Sequence, residues 1–446
     1  MNNKKLPHKA WVVTVDMGYG HQRASQPLHK IAEGGIISAN NYRGIPKKDR
    51  NIWLHSKDFY EAVSRFKKVP FIGDKVFSLY DKFQAIPHFY PKRDLSKPNI
   101  PLKSFYRLFR KEDWGKHLIE KLSKKPYPII TTFFVTAFMA EYFKYPGEIY
   151  CLATDTDISR TWVPLNPKKS KIMYFAPNRR VLQRLKLYGV DEKKIFLTGF
   201  PLPEENIGKN MTILKSDLGR RLINLDPEMF YISQYEKTLK HHLGKAFTKK
   251  KTEPLTITFA VGGAGAQREL GGTIITSLKE KIKEGSINVN LVAGTHLAVN
   301  KYFKDTAKEI GLGECLGDSI NVIFDKDKNE YFKKFNKVLR KTDILWTKPS
   351  ELSFYCALGI PIIISSPIGS QEIFNQRWLR TIGAGVKQED PRYVNEWLPD
   401  WLKSGWLAEA AMQGFLEAPK FGTYNIDKII SHHYKEAKEF DTVLQY

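Results

Sequence analysis

The chain alternates short apolar runs with polar breaks marked by glycine or proline. In the first half the runs are Trp11-Val12-Val13-Thr14-Val15, Pro128 to Thr132, Ile149 to Ala153 and Ile195 to Leu197. In the second half they are Leu255 to Val261, Val289 to Ala293, Asn321 to Asp325, Ile344 to Trp346 and Ile362 to Ile364. Runs without polar alternation belong to strands covered on both faces, as in sheets flanked by helices. The pattern predicts strand, turn and helix in succession in each half, an α/β class. The charge-free apolar stretch Pro126 to Ala140 has 15 residues. A membrane-crossing helix needs about 18 or more, so this stretch reads as a buried strand followed by a helix.

The sharpest local pattern runs from Asp343 to Gln376. After the strand Ile344–Trp346, Lys348-Pro349-Ser350 is a break, because proline disfavours helical backbone in the residue before it. Ser350 or Thr347 is placed to cap the next helix, with Glu351 in its positive first turn. Gly359 ends that helix and Pro361 forbids its continuation. Past the strand Ile362–Ile364, Gly369-Ser370-Gln371-Glu372 presents polar groups where open α/β sheets bind ligands. Two glycine turns are placed alike. Asp16-Met17-Gly18-Tyr19-Gly20-His21 leaves the first strand and opens a helix. Its N–H groups suit an anion, and His21 adds a proton-exchanging group near neutral pH. Gly262-Gly263-Ala264-Gly265 leaves the first strand of the second half and lets N–H groups approach a pyrophosphate. A glycine turn alone is as often only a tight connection.

Charge changes the picture. The 446-residue chain carries a net +24, which points to an anionic partner. Residues 41–125 hold 21 Lys and Arg against 9 Asp and Glu, together with 15 aromatics. Two helical patches are expected there, Lys57 to Lys68 with Phe59, Val63 and Phe66 on one side, and Ser104 to Arg110, with Pro87, Pro91, Pro98 and Pro101 breaking the middle. The segment reads either as a solvated insertion or as a membrane-surface element, with aromatics at headgroup level and cations on anionic lipid. On the residues alone both readings stand. Nucleic acid is not expected as a partner, since no recognition-motif pattern accompanies the charge. Cys151, Cys315 and Cys356 are far apart and form no metal or disulfide framework, which suits a reducing compartment. The N-terminus lacks the apolar core of a signal peptide.

T-K-P at 347–349, the helix ending A-L-G-I-P and Q-E-x-x-N at 371–375 resemble the donor half of GT-B glycosyltransferases. The nearest group holds the bacterial peptidoglycan-precursor GlcNAc transferase and the diacylglycerol glycosyltransferases. G-x-G-H-x-x-A-S at 18–25 and T-G-x-P at 198–201 resemble the first half of the same group. The resemblance implies two Rossmann-like doubly wound domains facing across a cleft. Domains are expected at 1–205 for the acceptor, with the 41–125 insertion, and at 254–420 for the nucleotide sugar. A linker or insertion at 206–253 joins them, and 421–446 holds a helix crossing back to the first domain. A UDP-sugar is the implied co-substrate, with a lipid or lipid-linked acceptor, no resident cofactor and no metal. The implied placement is cytoplasmic, peripheral to the inner membrane face.

The resemblance also assigns roles. Gly262, Gly263, Gly265, Phe324, Lys348, Glu351, Gln371, Glu372 and Asn375 are expected to hold the donor, and Gly18 and Gly20 to form the acceptor-side loop. His21 is the expected base, with Asp155 as partner or rival. His296 is read as structural or merely near the nucleotide. The family's ribose-binding Glu falls on Phe354, so Glu351 takes that role. Two acceptor-side histidines of the family are replaced by Phe133 and Ser159. The alternatives are an enzyme like the UDP-GlcNAc 2-epimerase, which needs no basic-aromatic insertion, and a non-catalytic binding protein of the same shape.

Overall fold

A computed structural model describes residues 9–54, 85–247, 253–262, 265, 267–367 and 369–431. The expected helix Lys57–Lys68, Gly263 and residues 432–446 lie outside these. The chain divides into two compact units. One comprises Met1–Pro201, Ile368–Phe374 and Phe421–Tyr446, the other Leu202–Pro367 and Asn375–Lys420.

The first unit is built on a six-stranded parallel sheet of order β2-β1-β3-β4-β5-β6. Its strands are β1 (Trp11–Thr14), β2 (Ile37–Ser38), β3 (Ile129–Thr131), β4 (Ile149–Leu152), β5 (Met173–Ala176) and β6 (Ile195–Leu197). Val12, Val13, Ile129, Ile130 and Cys151 are fully buried, as strands covered on both faces require. Helices α1 (Tyr19–Ser25), α2 (Ile100–Glu112), α3 (Lys116–Ser123), α4 (Phe134–Tyr142) and α5 (Arg179–Leu187) cover it. Pro126–Ala140 is indeed strand then helix, with Val135 to Ala140 of α4 buried.

Helix α2 corrects two expectations. Pro101 does not break it but lies in its first turn, where the missing N–H is an orphan in any case. Asn99 caps it by accepting from the Leu102 N–H at 3.2 Å. Its aromatics face the core. Phe109 is fully buried, and Tyr106 stacks on Phe138 with ring centres 5.9 Å apart. Trp114, just beyond the helix, packs edge-on against the buried Trp53. The described rings of this segment are therefore mostly structural, while Lys103, Arg107, Arg110 and Lys111 face outward.

The second unit holds a six-stranded parallel sheet of order β12-β11-β10-β7-β8-β9. The strands are β7 (Leu255–Ala260), β8 (Ile287–Gly294), β9 (Ile320–Phe324), β10 (Ile344–Thr347), β11 (Ile362–Ile364) and β12 (Gly385–Lys387). Ile362, Ile363 and Ile364 are fully buried. The polar run 206–253 contributes α6 (Thr212–Leu225) and α7 (Phe230–Leu243). Arg221 of α6 is wholly enclosed and donates to the Thr342, Leu358 and Gly359 carbonyls. Burial lowers its guanidinium to about 10. The longer remaining helices are α8 (Arg268–Ser277), α9 (Leu297–Glu309), α10 (Lys328–Lys341), α11 (Ser370–Thr381), α12 (Val394–Lys403) and α13 (Trp406–Glu417). Helix α14 (Gly422–Ser431) belongs to the first unit, where the Asn425 amide donates to the Thr198 carbonyl at 2.7 Å. Two Rossmann-like units in one chain make this a GT-B fold.

No helix among the described residues is long and apolar enough to cross a membrane.

Candidate functional site

In open parallel sheets, ligands sit beyond the carboxyl ends of the strands where the order reverses. In the second unit that point lies between β7 and β10, since β7-β8-β9 runs one way and β10-β11-β12 the other. The loops leaving these two strands carry Gly262 and Lys348. A methyl group built on Gly262 would lie 2.7 Å from the Lys348 Cε, so the lysine stem lies across the glycine turn. Gly265 has φ +71°, a left-handed value that favours glycine, and packs against Val299 of α9. Gln267 then braces the loop. Its amide donates to the Ser366 carbonyl at 3.0 Å and accepts from the Ser365 hydroxyl at 2.8 Å.

The break after β10 forms as its residues dictate. Ser350 is the cap, accepting from the Leu352 N–H, and Gly359 closes the helix at φ 65°. The helix itself, Glu351–Leu358, is 3₁₀ and not α. Glu351 sits buried in its first turn. Phe354 is buried against Trp378, ring centres 5.3 Å apart, and so is part of the core. Asn375 of α11 donates to the Pro349 carbonyl at 3.3 Å, tying α11 to the Lys348–Ser350 loop. Gln371 and Glu372 occupy the first turn of α11, within the stretch that counts with the first unit. Phe324 ends β9, which β8 separates from the switch point. Glycine turn, Lys348, Glu351 and Asn375 are thus brought together, and Phe324 stands apart from them.

In the first unit the order reverses between β1 and β3. The loops leaving these strands carry His21 and Thr132-Phe133. Gly18, at φ +106°, starts α1; Gly20 lies within it and does not need positive φ. The turn is braced from β2. The Asn40 side chain accepts from the Asp16 N–H at 2.9 Å, and Gln22 donates to the Asp16 carboxylate at 2.9 Å. His21 Nδ1 lies 2.7 Å from the Thr132 carbonyl. A carbonyl only accepts, so Nδ1 carries the proton in the neutral ring and the basic lone pair belongs to Nε2. Phe133 meets the imidazole edge-on at 5.0 Å and Trp162 lies 6.4 Å away. Phe133, where the resemblance expects a histidine, is thus an aromatic wall. Ser159, at the other such position, is buried and hydrogen-bonded to the Thr161 hydroxyl at 2.7 Å. Asp155 is half-buried in the loop after β4 that leads to Trp162.

Sequence reasoning missed the residues that hold this loop. Arg184 of α5 makes two bonds of 2.8 Å to Asp157, both side chains buried. Arg160 donates to the Ser96, Val163 and Pro164 carbonyls. The T-D-T-D repeat marks the loop, but nothing in the sequence selects Arg184 among many cations. Among the described residues, no group of three or more His, Cys, Asp or Glu side chains is placed to hold a metal.

A family model described as a domain of unknown function (DUF6938) matches residues 244–316. No curated protein matches the chain. Several solved structures are similar to it. A MurG from Acinetobacter baumannii is 13% identical with a TM-score of 0.47, over 95% of this chain and 99% of that one. The S. aureus MnaA–UDP co-structure is 13% identical with a TM-score of 0.46, over 94% and 95%. A Neisseria meningitidis UDP-GlcNAc 2-epimerase bound to UDP-GlcNAc is 14% identical with a TM-score of 0.44, over 95% and 98%.

Proposed function

We propose that this protein is a metal-independent glycosyltransferase that moves a sugar from a UDP-sugar to a hydroxyl of a membrane lipid or lipid-linked acceptor. The observation that carries the proposal is Lys348 lying across the Gly262 turn at the switch point of the second sheet. An ammonium beside backbone N–H groups suits a diphosphate. Gly263 belongs to the same turn in this reading. Glu351 accepts from the ribose hydroxyls, Phe324 lies beside the uracil, and Gln371, Glu372 and Asn375 address the sugar. On the first unit His21 Nε2 takes the proton of the acceptor hydroxyl. The oxygen bonds to the anomeric carbon as the carbon–oxygen bond to UDP breaks. UDP leaves with that electron pair, and Lys348 and the glycine turn meet the developing charge. The outward lysines and arginines of α2 rest on anionic lipid at the inner membrane face. The experiment is a panel of UDP-sugars screened for thermal stabilisation, followed by UDP release with membrane extract. Stabilisation by none of them, or no UDP release with any extract, removes the reading.

The packing of Phe105, Tyr106 and Phe109 into the core supports a second reading. It takes away the aromatic half of the feature that set a lipid transferase apart from an epimerase. An epimerase would convert a UDP-sugar to its epimer with no acceptor present, which the same assay reads by product analysis.

A further inference from the structure

The turn after β2 and the outer face of α3 border an open pocket of about 380 Å³, lined by Arg43, Gly44, His117, Glu120, Lys121 and Lys124. None of these residues belongs to the loops after β1 and β3. Three carry fixed positive charge, and Glu120 is the one carboxylate of the lining. Lys121 and His117 are held in place. Lys121 Nζ donates to the Arg43 carbonyl at 3.0 Å and lies 5.4 Å from the centre of the Tyr42 ring. The His117 ring stacks on Tyr42 at an interplanar angle of 17°, with Nδ1 2.8 Å from the Tyr42 hydroxyl. Tyr42 is buried, and burial pushes its phenol up, so it stays neutral and brings no negative charge to the pocket. Gly44, at φ +86°, makes the turn that presents Arg43. Every charged side chain of the lining is exposed, and the buried carboxylate of Asp49 lies within electrostatic reach of His117. Like charges converging in one concavity raise its potential and favour an anion there.

We propose that this pocket binds a phosphate ester, either the headgroup of a phospholipid at a bilayer surface or a soluble phosphate ester. Its volume suits one phosphate with a small esterified alcohol. Arg43 supplies planar paired donors, and Lys121 and Lys124 supply point charges. The proposal does not rest on sugar transfer, because its readout is binding.

The test uses the full chain and three probes. These are phosphatidylcholine vesicles containing phosphatidic acid, vesicles of equal surface charge made with a fatty acid carboxylate, and soluble glycerol 3-phosphate. Arg43→Gln/Lys121→Gln is compared with Lys168→Gln/Lys169→Gln, which removes the same charge from an exposed turn of the first unit. The wild type is expected to prefer phosphatidic acid over carboxylate vesicles by about 10-fold, or to bind soluble glycerol 3-phosphate. The first pair of substitutions abolishes that preference and the second keeps it. Vesicle binding without soluble binding identifies the lipid source, and the converse identifies a soluble ligand. If the first variant does not fold, Lys124→Gln reads the same loss without touching the Tyr42–Arg43 turn. Equal loss in both variants, unchanged binding in the pocket variant, or no binding by the wild type overturns the proposal.

Discussion

His21 is where local geometry says most about chemistry. The Thr132 carbonyl fixes the tautomer, and Phe133 and Trp162 wall the ring. His21→Ala is expected to cut turnover by roughly 10²–10⁴-fold, the usual contribution of a general base, with UDP affinity unchanged. Steady-state rates and calorimetry check the two halves of that statement. Near-normal turnover in His21→Ala with none in Asp155→Asn passes the role to Asp155. Gly262 offers a complementary test. In Gly262→Ala the new methyl displaces the Lys348 stem, so UDP should bind more weakly. Lys348→Met should lose about 1.5–3 kcal/mol, the range for a hydrogen bond to a charged group. Normal UDP affinity in both variants would remove Lys348 from the diphosphate. Lys420 makes a statement about stability. Burial lowers its amine to about 8, below the ordinary 10.5. The unfolded chain therefore binds the proton more tightly, and the cost to folding is fully present below about pH 8. It shrinks between there and pH 10.5. Lys420→Met should stabilise the protein by about 1–2 kcal/mol at neutral pH, with the gain fading as pH rises through that window. Denaturant melts at pH 7 and 10 measure it.

At the scale of elements, strands and turns were legible and side-chain partnerships were not. The apolar runs became β1, β3, β4, β7, β10 and β11 because a strand covered on both faces leaves a plain composition signal. The Ser350 cap and Gly359 stop were legible for the same kind of reason, since each satisfies a local backbone demand. Helix α2 shows where reading failed. An aromatic stripe opposite a basic stripe looks the same whether the rings meet lipid or a protein core, because both give one apolar face at the helical period. Only the presence of Trp114, Phe134 and Phe138 across from it decides. The Asp157–Arg184 pair was invisible because it joins a loop to a helix through the tertiary fold. Arg184→Ala leaves a buried carboxylate unpaired, and a loss of about 3–5 kcal/mol is expected in chemical denaturation. A loss below about 1 kcal/mol would mean water reaches Asp157 in the variant.

The whole molecule is two sheets of the same parallel build, and the unit around the first is not made from one continuous stretch. Helix α14 belongs to it although the entire second unit lies between them in the sequence. Gly422 lies so close to the Phe200 carbonyl that a methyl there would sit 2.2 Å from its oxygen, and Asn425 reaches the buried Thr198 carbonyl. Truncation after Lys420 should therefore lower the melting temperature of the first unit, with fluorescence of Trp11 and Trp162 as its reporter; an unchanged transition would show that α14 adds nothing. The same closure bears on how the protein is made. During synthesis the first unit emerges early but waits, unfinished, for a segment translated more than two hundred residues later. Until then the Thr198 carbonyl lacks its Asn425 partner and the surface on which Gly422 packs is uncovered. A ribosome stalled anywhere in the second unit would hold a first unit that has all its strands and still lacks its closing piece.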